Sequence, residues 1–562
     1  VATQMDRRSK IVGVVLLLVA VCQCYNEEIV SCDVIIAGGT TAALAAAISS
    51  ATYGADTCLI EPTDWPGGQL TASAVPAVDF AWHKVTDSET GFTLDVGAIA
   101  KEPENITPNF YYLLQNLTSL GTCWVSEYCF PPTELLNMKN GVFQILSNLQ
   151  QTKKLRIWYN TVVKDVSTDC SGTRIQSLVT IQRTPTSSVT CNGWDVFLSE
   201  DIVDWYSYED SERWTKSVFE FVGNTVDSIF MDATEWGEVL ALSGAPYLQG
   251  IDEQYDGDTS GNGNDTCGQS TVFDFVEEYY SNPVEEEPNP YPVEYPDFYS
   301  LEGYSWNQVW TYRRVVSTAS WNAKPGDFTL QNWGKGNDYP YGYIFVDQSE
   351  VLNQIYSANW TGGVNINTLT QAEYLAYGYH YWFKEQDGNF TNYVALNSTY
   401  IGTCHGLSKI PYMRDTRRSI GVGSFVMEIQ NISGPAEQMT GTPYYDRIAL
   451  AAYDVDIHPL VGCQYPSYMV QYYPILPFFV PFRALTNELF VNMLVAGKTI
   501  AQSFLVNSAT RVHPNEWSTG TAAGVAAAFM IENKIGDTST VLNDYISQLQ
   551  AKVSMYTPIN WT

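Results

Sequence analysis

Histidine is scarce, with five in 562 residues. The cysteines form no CxxC pair and no zinc-like Cys/His spacing, so no metal centre is expected. Positive charge is short too: 29 Lys and Arg stand against 61 Asp and Glu, a formal net charge of −32. Such a surface repels phosphate backbones, which argues against nucleic acid as a partner. A membrane-crossing helix needs about 20 apolar residues. The N-terminal run at residues 11–21 (IVGVVLLLVAV) has 11, and no second run is long enough. No repeat of fixed period is found. Gly421-Val-Gly423 lacks the spacing of a nucleotide motif, so a separate NAD(P)H domain is not expected.

Hydrophobic residues make up 45% and charged residues 16%, a globular balance rather than a disordered one. The length suggests two or three lobes. Met5 reads as the initiator, followed by basic Arg7, Arg8 and Lys10 and the short apolar run. This is the pattern of a signal peptide over residues 5–24, with an uncleaved anchor as the alternative. The mature chain is then expected to be secreted or in the secretory lumen, without a stable membrane span. Eight N-x-[ST] sequons agree, at Asn105, Asn116, Asn264, Asn359, Asn389, Asn397, Asn431 and Asn560. Nine cysteines remain after cleavage, an odd number. Cys123 with Cys129 and Cys170 with Cys191 are candidate local pairs. Cys58, in an expected buried strand, is the candidate free thiol.

Residues 32–37 (CDVIIA) read as a buried strand ending at glycines. Residues 41–53 are Ala-rich and helical, and residues 56–60 form a second strand ending at Glu61. Together they make one βαβ unit. Between strand and helix lies Gly38-Gly39-Thr40-Thr41-Ala42-Ala43. A dinucleotide pyrophosphate needs closely approaching backbone and amides aimed from a helix start. The pattern departs from G-x-G-x-x-G/A at its middle position, where Thr40 stands. Glu61 follows Gly38 by 23 residues, the place of an acid that binds ribose hydroxyls. The alternative is a βαβ unit whose glycines serve packing only. Residues 250–300, rich in Gly, Asp, Pro, Glu and Tyr, read as an irregular acidic surface loop. Residues 489–495 read as a late strand and residues 519–531 as a small-residue helix.

The stretch DVIIAGGTTAALAAAIS…LIEPTDWPGGQLTASAVPAVD resembles the FAD-dependent oxidoreductases of the glutathione-reductase-like superfamily, in the branch with G-G-T-x-A and D-W-x-G-G-Q-L-T. Residues 230–242 (FMDATEWGEVLAL), 446–458 (DRIALAAYDVDIH) and 494–529 are similar to further segments of that branch. Glu238 and Ala43 replace its usual Asp and Gly. The resemblance implies an α/β fold: a discontinuous Rossmann-like FAD-binding domain with an inserted α+β substrate lobe. Its FAD-binding pieces would be residues 30–170, 226–245 and 486–535. A β-rich insertion would span 171–225, the substrate lobe 246–485 and a tail 536–562.

The same resemblance implies site roles. Gly38, Gly39, Thr40, Thr41, Ala42 and Ala43 would cradle the pyrophosphate, and Glu61 the ribose. Trp65, Gly67, Gly68, Gln69 and Leu70 would pass along the flavin edge. Asp232, Ala233, Thr234 and Gly497 would lie near the pyrophosphate and ribityl chain. Ser518, Thr519 and Gly520 would aim a helix N-terminus at the flavin pyrimidine.

Three residues are candidates for moving a proton. His513 precedes the late helix and serves either as a base or as a hydrogen bond that shapes its loop. Glu516 is a weaker candidate base. His458 closes an alternating Asp454-x-Asp456-x-His458, which on a strand puts all three on one face, either a substrate wall or a polar sheet surface. Arg511 is expected to pair with Glu516 or bind a substrate anion. The expected activity is hydride removal from a small organic substrate, with oxygen as acceptor. The competing readings are a non-catalytic secreted glycoprotein on the same fold and an NAD-dependent dehydrogenase.

Overall fold

The computed structural model describes residues 27–562 except 76, 88–89, 119–122, 253, 257–262, 292–296, 316–322, 389 and 467–473. The signal segment 5–24 and Asn389 therefore lie outside the described residues.

Five short apolar strands form a parallel sheet. They are β1 (Val34–Ala37), β2 (Thr57–Ile60), β3 (Leu155–Trp158), β4 (Ile229–Asp232) and β5 (Met493–Val495), in the order β5-β4-β1-β2-β3. Every residue of β1, β2, β4 and β5 is buried, as expected where helices cover both faces. The register sets Ala37 beside Ile60 and Asp232, and Asp232 beside Val495. The strand exits thus share one edge, where ligands of open α/β sheets bind.

Helix α1 (Thr41–Tyr53) follows β1, and helix α2 (His513–Asn533) lies against it. Small residues allow that contact. A Cβ on Gly520 would sit 2.2 Å from the Ala42 carbonyl oxygen, and one on Gly524 2.3 Å from that of Ala46. The two backbones nearly touch.

A second sheet places Glu28–Cys32, Trp214–Gly223, Ile175–Pro185 and Thr161–Thr168 side by side. The inserted lobe carries an antiparallel sheet of Arg314–Val315, Phe328–Gln331, Phe275–Tyr279 and Val394–Leu396. Its aromatic excess fills a core: Trp306 stacks on Trp310, Phe383 and Phe390 at 5.6, 5.4 and 4.2 Å.

Three expectations need correction. Residues 250–300 are not uniformly irregular, because Thr271–Val272 and Phe275–Tyr279 are strands. Acidic residues disguised them. Glu277 is buried against His380 Nδ1 at 2.8 Å, and Asp274 accepts from Asn332 at 3.4 Å. The late strand is only Met493–Val495, since Asn487 accepts from the amides of Leu489 and Phe490 and holds a turn there. The cysteine expectations hold for Cys123–Cys129 alone. Cys58 bonds Cys32, Cys191 bonds Cys404, Cys267 bonds Cys463, and among the described residues exposed Cys170 is the free thiol. Pairing across the inserted lobe is a tertiary matter that local spacing does not carry.

The Cys191–Cys404 bridge closes a span of 213 residues. Replacing both with Ser is expected to lower the unfolding free energy by about 2–5 kcal/mol. Guanidinium denaturation of the double variant beside the parent checks this, and coincident curves would contradict it.

Candidate active site

At the exit of β1 the chain turns through Gly38 and Gly39 into α1. Gly39 has φ +123°, a conformation that side chains rarely adopt, and a Cβ there would also meet Pro62 Cγ at 2.8 Å. Thr40 caps the helix: its Oγ1 accepts from Ala43 N at 3.0 Å and donates to the Ala233 carbonyl at 2.9 Å. The Thr41 hydroxyl donates to the Gly67 carbonyl at 2.8 Å. The turn is thereby tied to β4 and to the glycine loop after Glu61. The first amides of α1 have no acceptor within the helix, which makes this end a place for an anion.

Glu61 is buried beside the turn, its Oε1 3.9 Å from where a Gly39 Cβ would lie. That oxygen accepts from Thr63 N and Oγ1 at 3.1 and 2.8 Å. Burial outweighs those bonds and pushes the carboxyl up to about 8. Gly68, at φ +56°, brings its loop onto the turn: a Cβ would stand 2.7 Å from the Gly39 oxygen and the Thr40 Cα.

Asp232, Ala233 and Thr234 form the turn after β4. The Asp232 carboxylate accepts from Thr234 N, Thr234 Oγ1 and Leu240 N at 3.0, 2.8 and 2.8 Å. It organises its own turn rather than facing outward. The next residue, Glu235, meets Lys498 at 2.8 Å, and Lys498 meets Glu516 at 2.8 Å, all three buried. Burial opposes the ammonium charge of Lys498, but the two glutamates outweigh it and hold its pKa above the usual lysine range. Burial pushes Glu235 up to about 7, against the pull of Lys498.

Buried polar atoms without a partner gather around this cluster. They include Gln69 Oε1, Glu235 Oε1, Glu516 Oε2 and both ring nitrogens of His513, while Glu235 Oε2 is held by Lys498.

A cavity of about 840 Å³ lies beyond the glycine loop. Val75, Asp79, Tyr412, Arg414, His458 and Arg511 line it. A chain of charges crosses this wall. Arg511 pairs with Asp456 at 2.9 Å, and Asp456 faces His458 Nε2 at 3.5 Å. His458 Nδ1 meets Asp338 at 2.5 Å, and Asp338 meets Arg414 at 2.8 Å. Burial opposes ionisation of Asp338, but Arg414 and His458 bring it down to about 2. Asp79 stands apart: it forms no hydrogen bond with another described residue. Burial raises its carboxyl above the ordinary range, against the pull of Arg313, Arg511 and Arg414.

Several predicted residues land elsewhere than expected. His513 is fully buried and does not line the cavity. Burial and nearby Lys498 push its imidazole down to about 3. Glu516 is likewise behind the wall, and it pairs with Lys498 instead of Arg511. His458 does line the cavity, but residues 454–458 are not a strand. Asp456 joins His458, whereas Asp454 turns to accept from Val455 N at 2.9 Å. Ser518, Thr519 and Gly520 are not a helix N-terminus. Helix α2 begins at His513 with Pro514 in its first turn, leaving these three inside the helix. Ser518 accepts from Leu450 N at 3.2 Å, and Gly520 packs on Ala42. Trp65 lies under the Lys409 ammonium at 4.4 Å, away from the cavity. Gln69 donates to the Arg511 carbonyl at 2.9 Å, buried Leu70 packs in the core, and Gly497 abuts Ala42.

Sequence reasoning missed Asp79, Glu235, Asp338, Arg414 and Lys498. Asp79 and Glu235 sit in segments already singled out, 71–79 and 230–242, and an ionisable group beside a glycine turn is the signal that was available.

A glycine turn opening a helix, with an acid at the next strand exit, defines a dinucleotide-binding α/β protein. Residues 33–194 and 215–553 match the model of the FAD dependent oxidoreductase family, and the chain belongs to that family. FAD is its cofactor, and the chain is an FAD-dependent oxidoreductase. No curated protein matches the chain. Among solved structures, it is similar to a geranylgeranyl bacteriochlorophyll reductase-like protein of Thermoplasma acidophilum at 9% identity and TM-score 0.32, covering 94% of this chain and 84% of that one. The p-nitrophenol 4-monooxygenase of Pseudomonas putida gives 10% and 0.29, with 95% and 91% covered. The E. coli quinol fumarate reductase FrdA, as a glutamate-to-glutamine variant, gives 12% and 0.24, with 93% and 74% covered. Likeness at this level carries no argument, and the family match stands without it.

Gly39→Val adds a branched Cβ where φ is +123° and Pro62 already crowds. The variant is expected to retain less than about a tenth of the parent's flavin, the strain alone being about 1–3 kcal/mol. Absorbance at the flavin bands against protein mass measures it. A fully yellow, folded variant would show that this turn does not hold the cofactor.

Proposed function

We propose that the chain is a secreted FAD-dependent oxidase of the glutathione-reductase-like branch, acting on a small organic substrate in the 840 Å³ cavity. The observation that carries the reading is the position of that cavity. The loop from Gly67 to Val75 links the glycine turn to the cavity wall, with Val75 N donating to the Gln69 carbonyl at 3.0 Å.

FAD fits the residues present. The amides from Gly38 to Ala43 would take the pyrophosphate and Glu61 the ribose. Gly67, Gly68, Gln69 and Leu70 would follow the flavin edge, with Ala233, Thr234 and Gly497 beside the ribityl chain. The unpartnered atoms Gln69 Oε1, Glu235 Oε1, Glu516 Oε2 and the His513 ring nitrogens suit a polar ring system. A buried ammonium also favours negative charge nearby, so Lys498 would stabilise electron density arriving there. When bound, FAD supplies the two-electron acceptor that takes hydride from substrate carbon and passes the electrons to oxygen as hydrogen peroxide.

The chain's own part is orientation and proton movement. His458, held between Asp338 and Asp456, fixes the wall and keeps Arg414 and Arg511 in place. Asp79, unbonded and facing the same space, would accept the proton released from substrate nitrogen or oxygen. An extracellular setting fits the four disulfides and the exposed sequons, and it offers oxygen as the acceptor. Asn264, Asn359 and Asn560 are exposed and would carry glycans. Asn105 is buried, with Nδ2 donating to the Ile99 carbonyl at 3.0 Å, and would not.

Asp79→Asn is expected to lower kcat/KM by about 10²-fold or more with flavin content unchanged. A base works only when deprotonated. Its raised pKa therefore places the acid limb of the parent's profile above the usual carboxylate range, and the variant should lose that limb. Peroxide release against pH tests both points, and an unchanged profile would remove Asp79 from the role. Glycopeptide mapping of the secreted protein is expected to find Asn105 unmodified beside occupied exposed sequons. Occupancy at Asn105 would contradict the packing described.

A further inference from the structure

The cavity wall holds two opposite charges that have not found each other. Arg414 and Arg511 are ion-paired with Asp338 and Asp456, but Arg313 pairs with no described carboxylate. Its Nη1 donates to the Asn332 carbonyl, its buried Nε has no partner, and its guanidinium lies 5.0 Å from the Tyr312 ring centre. Asp274, also near it, is fully buried, and burial raises its carboxyl against the pull of Arg313, but no ion pair joins the two. Arg313 is the strongest charge acting on Asp79, yet no ion pair joins the two. The space between them suits a molecule with an anion at one end and a nitrogen at the other.

The rest of the wall describes that molecule's body. Trp82, Trp124 and Tyr304 line the cavity and are 59%, 51% and 54% exposed, an unusual concentration of solvent-facing rings. Trp82 meets Tyr453 edge-on at 5.0 Å, and Trp333 meets Tyr312 at 6.1 Å. Rings offered in this way stack on flat apolar groups.

We infer that the substrate is a free α-amino acid with an aromatic side chain, its carboxylate on Arg313, its amine toward Asp79 and its ring among the rim aromatics. A free guanidinium N–H pairs strongly with a carboxylate, which orients the α-carbon. The inference rests on the oxidase reading. Hydride leaves the α-carbon for FAD and the amine proton goes to Asp79, giving an imino acid. Water then releases the 2-oxo acid and ammonia, while oxygen takes the two electrons and two protons as hydrogen peroxide.

The test uses the flavin-loaded secreted protein, with phenylalanine, 3-phenylpropionate and phenethylamine as probes. Binding is read by calorimetry and by tryptophan fluorescence, and turnover by ammonia and peroxide. Phenylalanine is expected to bind at least about 10-fold more tightly than either single-ended analogue. Arg313→Gln should lose about 10-fold or more for phenylalanine and 3-phenylpropionate but not for phenethylamine, and Arg313→Lys should recover part of it. A protein that carries flavin yet binds phenethylamine as well as phenylalanine, or an Arg313→Gln variant of parental affinity, overturns the inference and leaves the oxidase reading standing. Phenylalanine bound with the expected selectivity by a protein that holds no flavin, or that releases neither ammonia nor peroxide, sinks the oxidase reading instead.

Discussion

A single hydroxyl fixes the geometry from which the site is built. Thr40 Oγ1 accepts from Ala43 N and donates to the Ala233 carbonyl, joining the start of α1 to the exit of β4. Glycine at that position would leave both groups unmet. Threonine there trades backbone freedom for a clamp, and the freedom the turn still needs is left to Gly39. Thr41 repeats the logic toward Gly67. Two adjacent hydroxyls therefore hold three separate stretches of chain around one helix start. Those bonds set the start of α1 beside Glu61, Gly68 and the β4 turn.

Charge is distributed around that space by rule. An unpaired buried ion is costly, by several kcal/mol, so buried ions occur with partners. Lys498 is fully buried and carries two glutamates, one from the β4 turn and one from α2. The wall of the cavity is organised differently, as an alternating row of cations and carboxylates ending at Arg414 and Arg511. The first cluster is buried. The second is half open and leaves Asp79 and Arg313 at its margin. The proposed proton acceptor, Asp79, lies on the open row, whereas His513 is buried away from it.

The local elements were legible in the sequence, and the long-range pairings were not. The run VIIA, the alanines of α1 and the acid after TCLI each follow from periodicity and local turn chemistry. The start of α2 was misjudged because His513, Asn515 and Glu516 are polar and yet wholly buried. Pro514, which suits a first helical turn, was the overlooked signal. Glu277 and Asp274 hid a strand for the same reason: a buried acid looks like surface until its partner is known. Cys58 read as a core thiol since no spacing rule connects it with Cys32. Lys498 stands far along the chain from Glu235, and only the fold makes them neighbours.

The glycine turn and the cavity are coupled through one amide side chain. Gln69 Nε2 donates to the Arg511 carbonyl, and the Arg511 guanidinium reaches Asp456 and the Tyr412 hydroxyl at 2.9 and 2.6 Å. The main chain of Arg511 thus supports the loop that runs from the turn, while its side chain forms part of the wall. That loop, Arg511, Asp456 and His458 thus form one connected set of bonds. Filling the cofactor side and ordering the substrate side draw on the same bonds. In a close-packed interior the support of the loop and the shape of the wall therefore share one residue, Arg511.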